Sequence, residues 1–88
     1  IFCRDDNLAI TALFALERKG ISVPQDVSVV GVDGTKNVRE INPTLASLKI
    51  DRASIVSTFF EQVEKLKKGE QPDSVVLKCE FVEGESLK

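Results

Sequence analysis

The chain has 88 residues, 12 of them basic and 14 acidic, for a net charge of −2 at neutral pH. That length makes one small domain or part of one, and a fold of this size buries only about 60–65% of its unfolded surface, so a lone α/β sheet would be marginal. The balanced charge gives no basic nucleic-acid footprint, and the absence of histidine removes imidazole catalysis and most histidine-containing metal sites.

Cys3 and Cys79 are the two cysteines. They are too few and too widely spaced for a disulfide framework or a zinc site, and are expected as buried free thiols in a reducing cytoplasm. No stretch approaches the ~18 apolar residues of a membrane span, and no signal-peptide pattern appears. The chain begins in strand-like residues and contains no methionine, which leads to the expectation of a segment from a longer protein.

In chain order, Ile1-Phe2-Cys3 reads as the tail of a strand and Arg4-Asp5-Asp6-Asn7 as a polar junction. Leu8, Ala9, Ala12, Leu13 and Leu16 then recur at helical spacing, with Ile10 and Phe14 widening the apolar face. Asp6 or Asp5 can cap the amino end of this helix. Glu17-Arg18-Lys19-Gly20 closes it, with cations near the negative end of the helix dipole and glycine as the left-handed stop.

After a turn over residues 21–26, Val27, Val29, Val30 and Val32 form an apolar, β-branched run without strict alternation. Such a run suits a strand covered on both faces, as in a parallel sheet. Pro24 sits outside it, where its missing N–H costs nothing. Gly31 and Gly34 bracket Asp33 at the carboxyl end, which is where ligands bind in open α/β sheets. The first third is thus a strand–helix–strand unit with a right-handed crossover.

A loop follows, with one helical turn around Val38 to Ile41, broken by Asn42-Pro43. Residues 44–50 alternate: Leu45, Leu48 and Ile50 are apolar, Ser47 and Lys49 polar. Asp51 is a cap candidate. Ile55, Val56, Phe59, Phe60, Val63 and Leu66 make an apolar stripe at three- and four-residue steps, ended by Gly69. On its other face Glu61 stands four residues before Lys65, and Glu64 four before Lys68, pairs that add about 0.2–0.5 kcal/mol each in an isolated helix. Residues 74–82 read as a last strand and 83–88 as a frayed tail.

The chemistry-bearing candidates are Asp5 and Asp33, each at a strand-to-loop junction. If their strands are neighbours, both acids face one cleft. An ionised carboxylate is acceptor-only, and matches the hydroxyls of a sugar or the N–H of a base. The bland reading makes Asp5 a loop acid and Asp33 a turn former. Arg4 either neutralises Asp5 or meets an anionic ligand. Catalysis has little to stand on. Asp5-Asp6 as a metal or phosphoacceptor pocket, as in a receiver-like domain or small α/β enzyme, needs a placed lysine and a metal, and Lys36 and Lys49 fall in no such pattern. Ser28 has no histidine partner for a triad, and Gly31-x-Asp33-Gly34 is not a dinucleotide fingerprint. No enzyme activity, cofactor or metal is expected.

The series Arg4-Asp5-Asp6-Asn7-Leu8-Ala9, Ala12-Leu13, Gly20-Ile21-Ser22-Val23-Pro24-Gln25-Asp26-Val27-Ser28-Val29-Val30-Gly31-Val32-Asp33 and Asn42-Pro43-Thr44-Leu45 resembles one family over essentially the whole chain. It is similar to the effector-binding domain of lactose-repressor-like (LacI/GalR) bacterial transcription regulators, whose fold is shared with periplasmic sugar-binding proteins. The resemblance implies a two-lobed α/β fold with a parallel sheet, of which this segment supplies β-α-β-loop-β-α-β. Residues 1–46 would be the latter part of the carboxyl-terminal lobe. Residues 47–73 would be a crossover strand and helix of the amino-terminal lobe, and 74–88 a returning strand and tail.

The resemblance also implies a small polar effector such as a sugar or sugar phosphate, lobe closure relayed to a helix-turn-helix outside these residues, operator DNA bound by that element, no membrane, a homodimer and a cytoplasmic location. Asp5 stands where the family commonly has an effector-contacting Asn or Thr, Asp6 at a position that is mainly a helix cap, and Asp33 at the acid of a Gly-aromatic-Asp motif. Val32 replaces the usual aromatic, Gly34 the usual Asp or Asn, and Arg4 a small residue. A periplasmic solute-binding protein of the same fold is the alternative.

Overall fold

The computed structural model of the chain describes residues 1–42 and 44–88; the expected helix-breaking Pro43 lies outside the described residues. The elements run α1 (Asp6–Arg18), β1 (Val30–Asp33), α2 (Lys36–Ile41), β2 (Ala46–Lys49), α3 (Arg52–Lys67) and β3 (Glu80–Val82). β1 and β2 are parallel, with Val30 opposite Ala46 and Asp33 opposite Lys49. β3 lies antiparallel on the other edge of β2, with Lys49 opposite Glu80. Phe2 makes a parallel bridge to Val30 on the free edge of β1, through Cys3 N–H to Val30 O and Val30 N–H to Ile1 O. The spatial order is therefore the Phe2 segment, β1, β2, β3.

Helix α1 starts as its sequence dictates, but the cap is Asp5, not Asp6: Asp5 is extended and its carboxylate accepts the Leu8 N–H at 2.8 Å. At the other end the Gly20 N–H reaches Glu17 O and the Ile21 N–H reaches Leu16 O, the paired bonds of a Schellman stop. α3 repeats the device with Gly69 to Leu66 and Glu70 to Lys65.

The core is small. Cys3, Ala9, Val29, Val38 and Leu45 are buried together, and Ile10, Ala12, Leu13, Leu16 and Val23 pack against them. Full burial of residues such as Leu45 and Val29 contributes about 1.5–3 kcal/mol each. Cys3 is a buried free thiol as expected, whereas Cys79 is exposed.

Several expectations change at the edges. The last strand pairs only over Glu80–Val82, since β2 itself is four residues long and offers no further partner. The boundary expected between residues 46 and 47 falls inside β2, which stays on the sheet beside β1 until Lys49. The tail over 83–88 is docked rather than frayed. Ser86, 4% exposed, donates from Oγ to Val29 O at 2.7 Å and accepts the Ala46 N–H at 2.8 Å, while its own N–H donates to Thr44 O. It wedges between the amino ends of β1 and β2, satisfying groups that the ladder leaves unpaired there. Gly84 has no room for a side chain against Thr44 O and the Ala46 N.

The pairs expected on α3 also differ. Lys65 reaches Asp73 at 2.6 Å and Lys67 pairs with Glu64 at 3.0 Å. The turn after the helix brings the Asp73 carboxylate within reach, its N–H donating to Gln62 Oε1. α3 has no buried residue; Phe59 and Phe60, stacked edge-to-face at 5.6 Å, are about 60% exposed. The molecule measures 58 × 21 × 18 Å, and most of the α3 stripe is exposed, with Val63 half-buried.

Candidate functional site

The Phe2–Val30 pairing sets the geometry. The pairing ends after Cys3, and Asp5 caps α1 just beyond it, while Asp33 closes β1; both acids therefore stand past the carboxyl ends of neighbouring segments of the sheet. This is the edge where α1 begins and where the turn into α2 runs.

The two acids are in different states. Both oxygens of Asp5 are engaged: Oδ1 accepts the Leu8 N–H, and Oδ2 accepts from Arg4 Nε at 3.0 Å and Nη2 at 2.8 Å. The Leu8 N–H first, and the Arg4 guanidinium second, hold the Asp5 carboxyl below its usual range. Arg4 itself is 88% exposed at its side chain, so the pair lies on the surface. Asp33 is half-buried, and among the described residues no donor or cation is paired with its carboxylate. Its backbone has φ of 103°, a region that non-glycine residues rarely enter and that marks sites where the surroundings over-determine the chain.

Behind these acids lies a buried node the sequence did not announce. Asp6, 1% exposed, accepts the Ser47 hydroxyl at 2.5 Å and the Thr35 N–H at 2.8 Å. Ser47, also 1% exposed, accepts the Gly34 N–H at 3.2 Å. Alternation along 44–50 had assigned Ser47 to a polar face. Ser47 instead lies beneath the start of α1, where the Asp6 carboxylate and the Gly34 N–H bond its buried hydroxyl. Gly31 is the readable signal: a Cβ there would overlap Asp6 Oδ1, so the carboxylate lies directly on the β1 backbone.

Two concave regions bear on the assignment. The larger, about 860 Å³, is bounded by Leu13, Glu17, Val23, Thr44 and Ser86 at the amino ends of the strands, remote from both acids. A smaller one, about 590 Å³, adjoins the Asp33 turn and is lined by Gly34, Lys36, Arg39, Lys49 and Glu80. Sheet topology favours the carboxyl edge, because crossover connections open a crevice there; size alone does not decide. No group of acids or cysteines among the described residues is arranged to hold a metal, and no described helix is long and apolar enough to cross a membrane.

A family model of the periplasmic binding protein-like domain matches residues 1–87. The chain belongs to that family. Within it, the sequence and fold are those of the effector-binding domain of lactose-repressor-like regulators. The HTH-type transcriptional repressor PurR of Escherichia fergusonii is 33% identical over 89 aligned residues, covering 99% of this chain and 26% of the repressor; the repressor from Escherichia coli is equally similar. The chain thus spans about a quarter of the length of the curated relatives it matches.

Among solved structures, a LacI family regulator from an Arthrobacter species in complex with lactose superposes over 100% of this chain and 34% of its own, at TM-score 0.77 and 28% identity. A periplasmic binding protein/LacI transcriptional regulator from Alkaliphilus metalliredigens complexed with D-xylulofuranose gives 0.78 and 26% identity, with 100% and 34% coverage. The Lac Repressor bound to ONPG in its repressed state gives 0.82 and 26% identity, with 97% and 26% coverage.

Proposed function

We propose that this periplasmic binding protein-like chain is the effector-sensing segment of a cytoplasmic, dimeric transcription regulator, and that a sugar or sugar phosphate is its ligand. The observation that supports this reading is Asp33 at the carboxyl end of β1, with positive φ and with no partner for its carboxylate among the described residues, at the same edge where Asp5 caps α1. The sugars in the related complexes support the ligand class. Asp33 accepts ligand hydroxyls. Arg4, on the exposed side of Asp5, swings to an anionic substituent where the ligand has one.

In this reading the chain crosses to the amino-terminal lobe only after Lys49 and stays there to residue 73, and the apolar stripe of α3 packs on parts of the protein beyond these 88 residues. The chain leaves the sheet at Ile50, after Lys49, which supports a crossover there. A ligand that binds the closed lobes more tightly than the open ones shifts the equilibrium by that difference alone, and operator DNA is bound by an element outside this chain. A periplasmic solute-binding protein of the same fold is separated from this reading by what precedes residue 1: a helix-turn-helix for the regulator, a signal peptide for the alternative.

Calorimetric titration of the full-length protein with a panel of sugars and sugar phosphates tests the site. One member of the panel binds saturably, and Asp33→Ala weakens it roughly tenfold to a hundredfold, the worth of hydrogen bonds to a charged acceptor. Unchanged affinity in that variant would remove Asp33 from the site.

A further inference from the structure

We infer that Asp6 and Ser47 are a positioning pair, whose buried contact holds the Asp33–Gly34–Thr35 turn in the shape that presents the Asp33 carboxylate. The inference rests on the reading of this edge as the effector site and adds the residues that build it.

Asp33 and Gly34 both have positive φ, 103° and 61°. A side chain at Gly34 would collide with Lys49, and the turn is pressed against β2. Such a turn persists only when its neighbours enforce it. The enforcing contacts are the two N–H groups directly after Asp33: Gly34 donates to Ser47 Oγ and Thr35 donates to Asp6 Oδ2. The two acceptors are themselves joined by the Ser47 hydroxyl to Asp6 Oδ1. One buried carboxylate therefore ties together the start of α1, the β1–α2 turn and β2.

Burying that carboxylate is unfavourable unless its oxygens are hydrogen-bonded, so the node resists losing any one arm. Asp6 follows Asp5 directly, so the same anchor fixes the origin of the second acid. Gly31 completes the arrangement by leaving the space that Asp6 occupies on β1.

Amide hydrogen exchange on the full-length protein tests this without any ligand. In Ser47→Ala, the Gly34 and Thr35 amides exchange at least tenfold faster, while the Leu13 amide inside α1 is unchanged. Ser47→Thr, which keeps the hydroxyl, restores the slow rates. Asp6→Asn, which keeps the shape and removes the charge, speeds the Thr35 amide in the same way. Unchanged rates at Gly34 and Thr35 in Ser47→Ala, an equal acceleration of Leu13, or failure of Ser47→Thr to restore protection would each overturn the pairing. Because exchange needs no effector, a failed sugar titration leaves this result standing, and a failed exchange test leaves the titration standing.

Discussion

Asp33 carries the tension between stability and use in this chain. A φ of 103° at a residue with a Cβ is unfavourable by about 1–3 kcal/mol, and glycine would remove that penalty. A protein needing only a turn at this point gains from the exchange; one needing a carboxylate there does not. Asp33→Gly is therefore expected to raise the unfolding free energy by about 1 kcal/mol in a denaturant titration. A loss of stability in that variant would mean that the carboxylate holds the fold rather than being held by it. Asp5 shows the opposite economy: its oxygens are already used by the Leu8 N–H and by Arg4, so its contact with a ligand requires Arg4 to move.

At the scale of elements, α3 makes the clearest electrostatic prediction. Ser54, through its hydroxyl and then its N–H, holds the Asp51 carboxyl below its ordinary value of 3.8, and Lys65 does the same to Asp73. Groups depressed on folding stabilise above their unfolded pKa, and that contribution is lost as pH falls through the lowered folded value. Lys65 is raised above 10.5 by Asp73, so its share survives until alkaline pH exceeds that raised value. Far-UV circular dichroism should therefore show helix loss on acidification below about pH 4, and Asp73→Asn should remove part of that loss. Helicity indifferent to acid would mean that neither contact contributes to the stability of the helix.

The elements also mark what the sequence could show. Both glycine-stopped helices were visible, because periodicity and end signals are local. So was the valine-rich strand ending in Asp33, although pairing begins only at Val30. The Asp6–Ser47 bond, the Ser86 wedge and the Lys65–Asp73 pair were not, because each joins residues whose proximity only the folded topology creates. In Ser86 the misleading signal was composition: a short polar terminus reads as frayed unless the empty place between two strand ends is known.

At the scale of the molecule, one end is a sheet with a packed core and the other a bare helix. Ile55, Val56, Phe59, Phe60 and Leu66 are 43–61% exposed, an uncommonly apolar surface for a folded chain, and the proposal gives that face to the amino-terminal lobe. What the functional account requires is that a polar small molecule settles at the carboxyl edge of the sheet and not in the larger groove at the amino ends. The most direct measurement is the amide spectrum of the isotope-labelled protein as the sugar identified by calorimetry is added. The account predicts shifts concentrated at Arg4, Asp5 and the Asp33–Thr35 turn, absent from the Val23 and Thr44 rim; shifts confined to that rim, with the Asp33 turn unmoved, would contradict it.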